Sequence, residues 1–262
     1  MAKTFYYDKQ GFYDATFTEG AWATGGSPGY ITAFTSGNTL TDHERVHDMS
    51  TASAVTSFAH TNSTTGDALH IDFGSSKACT YLALYFSATE DNDVKLWKED
   101  TSNVHSAVAT ITDRLDVGWT IAHFSSASSQ KWLLTTVNGD IDGLTEMLLG
   151  AYLEFEVNPE IGISETEDFN TEVNTSVGGI EYAIKTGNPK TTIDMNFSSV
   201  SNTFKTNLQS MESIVQNHHK FLYSEDGASG PIHYVRLAKP IDFKEVSYNR
   251  YSCSIKLVEQ LS

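Results

Sequence analysis

Cysteine, proline and basic residues are scarce in this 262-residue chain, and each scarcity removes a class of protein. Only Cys79 and Cys253 are present, far apart and each inside an apolar, strand-like run. They read as buried free thiols, and a disulfide-stapled fold is excluded. Lys and Arg number 17 against 33 Asp and Glu, for a formal net charge of -16 and a pI near 4.8. A protein that grips nucleic-acid phosphates or anionic membranes needs the opposite balance, so specific nucleic-acid binding is not expected. Long hydrophobic runs are missing too. The opening Met1-Ala-Lys-Thr-Phe-Tyr-Tyr-Asp-Lys9 sets charges on both sides of a short apolar cluster, without the apolar segment of a secretory signal. No stretch reaches the length that crosses a bilayer, and we expect synthesis in a cytoplasm without membrane insertion. Two signatures of bound groups are likewise absent: a phosphate-cradling Gly-rich loop and paired-Cys metal spacing.

What the chain does have is aromatic and β-prone. Its 14 Phe and 12 Tyr outnumber 5 Met, and aromatic rings pack well on pleated surfaces, so sheet is favoured over helix. Tyr30 to about Thr65, rich in Ser, Thr, Gly and Asn, reads as loops. Leu69, Ile71 and Phe73 then alternate with His70 and Asp72, a strand with one face on a core that Gly74-Ser-Ser closes. Tyr81 to Phe86 is apolar on both faces, as in a central strand. Further strands are expected after Val94, at Trp132 to Val137 and from Leu148 to Val157.

The pattern breaks at Asn158-Pro-Glu-Ile-Gly162, because proline cannot donate to a sheet ladder and restricts the residue before it. The boundary is placed there, giving domains 1–157 and 158–262. Ser164 to Asn174, acidic and rich in Ser and Thr, reads as a long exposed loop or arm. Ile180, Tyr182 and Ile184 on one side of Gly187-Asn-Pro189, with Ile193, Met195 and Phe197 on the other, predict a hairpin. Ser201 is placed to cap a helix over about 201–217, with Phe204, Leu208, Met211 and Val215 lining its packed face. Strands are expected at Tyr234 to Leu237, Ile241 to Phe243 and Tyr251 to Leu257.

One motif invites a catalytic reading. His43-Glu44-Arg45-Val46-His47 has the spacing that places two imidazoles on one helix face with a glutamate as base, as in zinc peptidases. Asp42, Arg45 and Asp48 crowd it with charge, and Ser50 and Ser53 stand where an extended motif needs glycine and a third histidine. A solvated turn is the preferred reading. Glu90-Asp-Asn-Asp93 lacks the spaced oxygens and closing glutamate of a calcium loop and reads as an acidic turn. His218-His219 end the helix near its negative pole, where imidazoles are structurally favourable. No residue is assigned a catalytic, metal-binding or cofactor-binding role, and the chain is read as a non-enzyme. Trp22, Trp97 and Trp119 are the candidates for stacking on a sugar, each weighed against core packing.

Two stretches resemble known families. Met49 to Gly150 resembles a discoidin or galactose-binding-like domain, on Ala52 to Ala59, Gly66-Asp-Ala-Leu-His-Ile-Asp-Phe-Gly74, Tyr81 to Phe86, Lys131-Trp-Leu-Leu-Thr and Glu146-Met-Leu-Leu-Gly150. The cysteine pair of extracellular members is missing. Tyr152 to Leu261 resembles a tail component of long-tailed bacteriophages, on Gly178-Gly-Ile-Glu-Tyr182, Thr191 to Phe197, the helix and Tyr251 to Glu259. Together these imply a mainly β fold: a galactose-binding-like jelly-roll sandwich followed by a β-rich tail-type domain with one packed helix. The implied function is a structural component of a phage tail, in a ring or at the tail tip or baseplate. Its expected partners are itself, as a hexamer or trimer, and other tail proteins, with the sandwich projecting as decoration or touching host surface carbohydrate. The implied location is the virion, assembled in the host cytoplasm. The alternative is a lectin-like carbohydrate-binding module outside any ring.

Overall fold

The computed structural model describes residues 3–10, 16–23, 56–58, 60–62, 65–89, 93–101, 104–111, 117–136, 141–160, 163–168, 171–185, 189–216 and 218–260. The described residues are mainly β, with one α-helix. They divide into two compact units, Tyr7–Tyr152 and the pair of segments Met1–Tyr6 and Leu153–Ser262. The break thus lies at Leu153, ahead of the Asn158–Gly162 segment, and the first residues belong with the later half. The reason is a pairing the local sequence does not announce. Strand β1 (Thr4–Tyr6) is hydrogen-bonded into the sheet of the second half, and the chain then departs to build an inserted unit.

The inserted unit contains β2 (Thr16–Ala23), β3 (Thr56–Phe58), β4 (His60–Asn62), β5 (Thr65–Phe86), β6 (Val94–Thr101), β7 (Val104–Ile111), β8 (Gly118–Thr136) and β9 (Ile141–Gly150). The strand order is β3-β9-β5-β8-β6-β7, with β2 and β4 also on β5. β3 and β4 fall inside the stretch read as loops. β5 is the organiser, and it does not stop at Gly74. Gly74 takes φ +69 and its N–H donates to Asp72 Oδ1 at 2.7 Å, while the ladder to β8 shifts register between Asp72 and Lys77. A glycine at positive φ makes a bend there, not an end. Beyond it Tyr81, Leu82, Ala83 and Leu84 are all buried, as is β9 from Gly143 to Gly150. Strands buried on both faces carry protein on both sides, the layered packing of a β-sandwich.

The split unit holds β1 with β10 (Leu153–Glu154), β11 (Ser164–Asp168), β12 (Thr171–Thr175), β13 (Glu181–Lys185), β14 (Lys190–Ser201), α1 (Asn202–Val215), β15 (Phe221–Ser224), β16 (Ile232–Leu237), β17 (Asp242–Ser247) and β18 (Arg250–Glu259). Its main sheet runs β10-β1-β15-β16-β18-β14-β11, with β17 on β18. Ile193, Met195 and Phe197 face Leu257, Ile255 and Cys253 across the β14–β18 ladder, all buried. Onto β14 and β18 packs α1, through Phe204, Leu208, Met211 and Val215, the face expected from their spacing. Ser201 is its N-cap and accepts the Phe204 N–H at 3.0 Å. Phe5, Phe155, Phe197, Phe204 and Phe221 form a chain of edge-to-face and tilted rings at centroid spacings of 4.7 to 6.2 Å.

Two expectations here are corrected. Ser164 to Asn174 is not a loop: β11 pairs with β14, and β12 pairs with β13. Nor do β13 and β14 form the predicted hairpin with each other. β13 turns back on β12, leaving β14 for β11 and β18. Alternation fixes which residues share a face but is indifferent to which strand lies alongside.

Candidate functional site

The inserted unit offers a built surface on the sheet of β9, β5 and β8. Register places Glu146, Tyr85 and Trp119 side by side across the three strands. The next rows on that face are Leu148, Ala83 and Ile121, then Gly150, Tyr81 and His123. The middle row is buried aliphatic packing, so the polar and aromatic groups are segregated to two ends. At one end Tyr85 and Trp119 are each half-buried and meet edge to face, with centroids 5.4 Å apart at 68°. Such a pair leaves an aromatic surface while holding each ring against rotation. Glu146 is fully buried beside them, so it supports the pair from within the protein and is not itself a contact surface.

The strand ends around this pair are tied down. Ser87 donates its N–H to Gly143 O at 2.8 Å and its hydroxyl to the same oxygen at 3.1 Å, and Thr145 Oγ1 donates to Tyr85 O at 3.4 Å. Gly143 sits at φ +80, a conformation that a side chain disfavours. At the other end His123 and Tyr152 stack at 4.5 Å and 13°, and the buried Tyr81 hydroxyl donates to Tyr7 O at 3.1 Å.

Of the tryptophans singled out from sequence, Trp119 joins this surface. Trp97 is engaged internally: its Nε1–H donates to Thr135 Oγ1 at 2.9 Å and Lys95 Nζ lies 5.2 Å from its ring centre. The Trp22 side chain lies outside the described residues, although its backbone pairs with Gly66 in the β2–β5 ladder. Tyr85 and Glu146 were not singled out from sequence, because they become neighbours of Trp119 only through the registers of two separate ladders. Their sole local signal is polarity inside apolar runs.

The other sequence candidates supply little chemistry. His43, Glu44 and His47, and Glu90 to Asn92, lie outside the described residues. Among the described residues no three His, Cys, Asp or Glu side chains are grouped to hold a metal ion. His218 and His219 place their rings 4.1 Å apart just past α1, and the His219 N–H donates to Val215 O at 3.0 Å, a helix-ending contact. Both thiols are buried. Burial, with the Asp8 carboxylate adding to it, pushes the Cys79 thiol up to about 12, and burial alone pushes Cys253 up to about 11. Neither is a thiolate near neutral pH, so neither is a nucleophile.

No protein-family model and no curated protein matches the sequence. Solved structures resemble part of it. The family 32 carbohydrate-binding module of Clostridium perfringens NanJ, determined with galactose, is 12% identical at a TM-score of 0.36, covering 58% of this chain and 99% of that one. A chitosan-binding module of a Paenibacillus sp. IK-5 chitosanase/glucanase, determined with chitotriose, is 12% identical at 0.34, covering 52% and 95%. A module of a family 31 glycoside hydrolase from Clostridium perfringens is 9% identical at 0.35, covering 51% and 93%.

Proposed function

We propose that this protein is a non-catalytic β-rich recognition protein whose inserted unit contacts carbohydrate. The observation that carries the reading is the Tyr85–Trp119 pair: two partly exposed rings, held edge to face at 5.4 Å beside the buried Glu146, at the braced end of a sheet. Sugar rings present C–H faces that pack on aromatic planes, and rings fixed in advance bind with less loss of rotamer freedom.

Galactose and chitotriose, the sugars named with two of the similar structures, serve as first probes. Titration of the full chain should give saturable binding, and Trp119→Ala should weaken it at least about tenfold with the melting temperature of the split unit unchanged. Absence of saturation with any glycan tried, or indifference to Trp119→Ala, rejects the proposal.

A second reading, a structural component of a phage tail, rests on the resemblance of Tyr152 to Leu261 to a tail component of long-tailed bacteriophages. Mass spectrometry of purified virions tests it, and absence of the chain from particles removes it.

A further inference from the structure

The β12–β13 hairpin is unfinished as a piece of protein. Val173, Val177, Ile180, Tyr182 and Ile184 are all more than half exposed, and among the described residues β13 is hydrogen-bonded on one edge only. Isolated two-stranded sheets are marginal in water, and an apolar open edge is a template for another strand. The same unit carries a second open edge. Among the described residues β17 pairs only with β18, and the bulge between Glu245 and Ser247 leaves Val246 50% exposed beside Tyr248 at 89%. Behind that edge lies an open groove of about 590 Å³ with Phe197, Phe243 and Cys253 along its wall.

The two edges match. Set antiparallel with Lys185 opposite Glu245, β13 brings Ile184 opposite Val246, and Tyr182 reaches Tyr248 in the turn that follows β17. A shift of one residue sets Lys185 against Lys244 or against Val246. A shift of two sets Ile184 against Lys244 or Lys185 against Ser247. One register therefore satisfies both the charges and the exposed apolar groups, which is how a strand pairing is specified.

We propose that β13 of one copy adds to β17 of a second copy of this chain, extending its sheet across the molecular boundary. Donor and acceptor edges are different surfaces, so the contact either is exchanged within a two-fold pair or runs head to tail and closes as a ring. The proposal stands apart from the sugar-binding reading, whose residues lie in the other unit, so either can fail alone.

Sedimentation of the full chain over a wide concentration range is the test. We expect reversible self-association that Ile184→Asp abolishes without lowering the melting temperature, since the residue is exposed. Lys185→Glu should weaken it about tenfold, and Lys185→Glu combined with Glu245→Lys should restore it to within about threefold. A chain that stays monomeric throughout, association indifferent to Ile184→Asp, or a charge swap that restores nothing overturns the proposal. Association only with a different protein overturns it equally.

Discussion

Tyr223 shows how much a single hydroxyl can matter. Its ring is fully buried among Phe5, Phe155 and His233, and its Oη has no hydrogen-bond partner among the described residues. Burial, then the Glu225 and Glu165 carboxylates, raises its ionisation well above the ordinary phenol range. A buried polar group left unpaired costs about 1–3 kcal/mol, whereas the ring's packing is unaffected by losing it. Tyr223→Phe should therefore be neutral or stabilising by up to about 2 kcal/mol, read by denaturant unfolding of the full chain. Gly143 is the opposite case. At φ +80, an added methyl would stand 3.0 Å from Ser87 Oγ and 3.3 Å from Ala88 N. Gly143→Ala should lower stability by about 1–3 kcal/mol and, by loosening the strand end that carries Tyr85, weaken any glycan binding measured beside it.

Among the elements, α1 is the one whose making is almost wholly local. Phe204, Leu208, Met211 and Val215 lie within one helix's length, and Ser201 directly precedes it, so periodicity and the cap locate it from sequence. Its reinforcement was not legible. Glu156, from beyond β10, accepts hydrogen bonds from both the N–H and the hydroxyl of Ser201, setting a carboxylate at the positive pole of a helix whose own first turn has no acid. Nothing within a helix's length predicts a partner that distant. Ser201→Ala should cost about 1–2 kcal/mol, and Glu156→Gln about 0.5–1 kcal/mol with most of that difference gone in high salt, as equilibrium unfolding would show. Strands behave differently from the helix. Alternation at Ile180, Tyr182 and Ile184 correctly marks β13, yet its partner is β12, because an alternating strand can satisfy its ladder with any neighbour of matching pattern. The same indifference hid the Glu146–Tyr85–Trp119 row. Trp119 was visible as a large aromatic, but its neighbours are a product of ladder register and not of spacing.

Over the whole molecule, acidity and burial combine into a pH response. Burial pushes the Tyr7 hydroxyl up from 10.0 to about 12 and the Cys79 thiol from 9.0 to about 12, so the folded chain keeps protons that the unfolded chain has released. Unfolding then liberates protons, and rising pH favours it. The stability these groups confer is complete below about pH 9 and declines through pH 12, by roughly 1.4 kcal/mol per pH unit for each group once its unfolded form has ionised. Unfolding midpoints measured from pH 7 to pH 11 should be level and then fall, and Cys79→Ala should make the fall shallower without moving its onset, which Cys253, also raised by burial, still sets.

The plan of the chain was the least legible feature, since β1, read alone, is only Thr-Phe-Tyr with no stated destination. Its partners are β10 and β15, so β1 must wait for strands that lie far later in the chain. At roughly 5–20 residues per second on a ribosome, Tyr6 emerges about ten to forty seconds before Phe221. Through that interval the inserted unit can already close, while Phe5 and Tyr6 remain exposed apolar residues awaiting a sheet. A nascent chain arrested before β15 should thus present the β1 segment to chaperones, and release from them should follow the emergence of Phe221–Ser224.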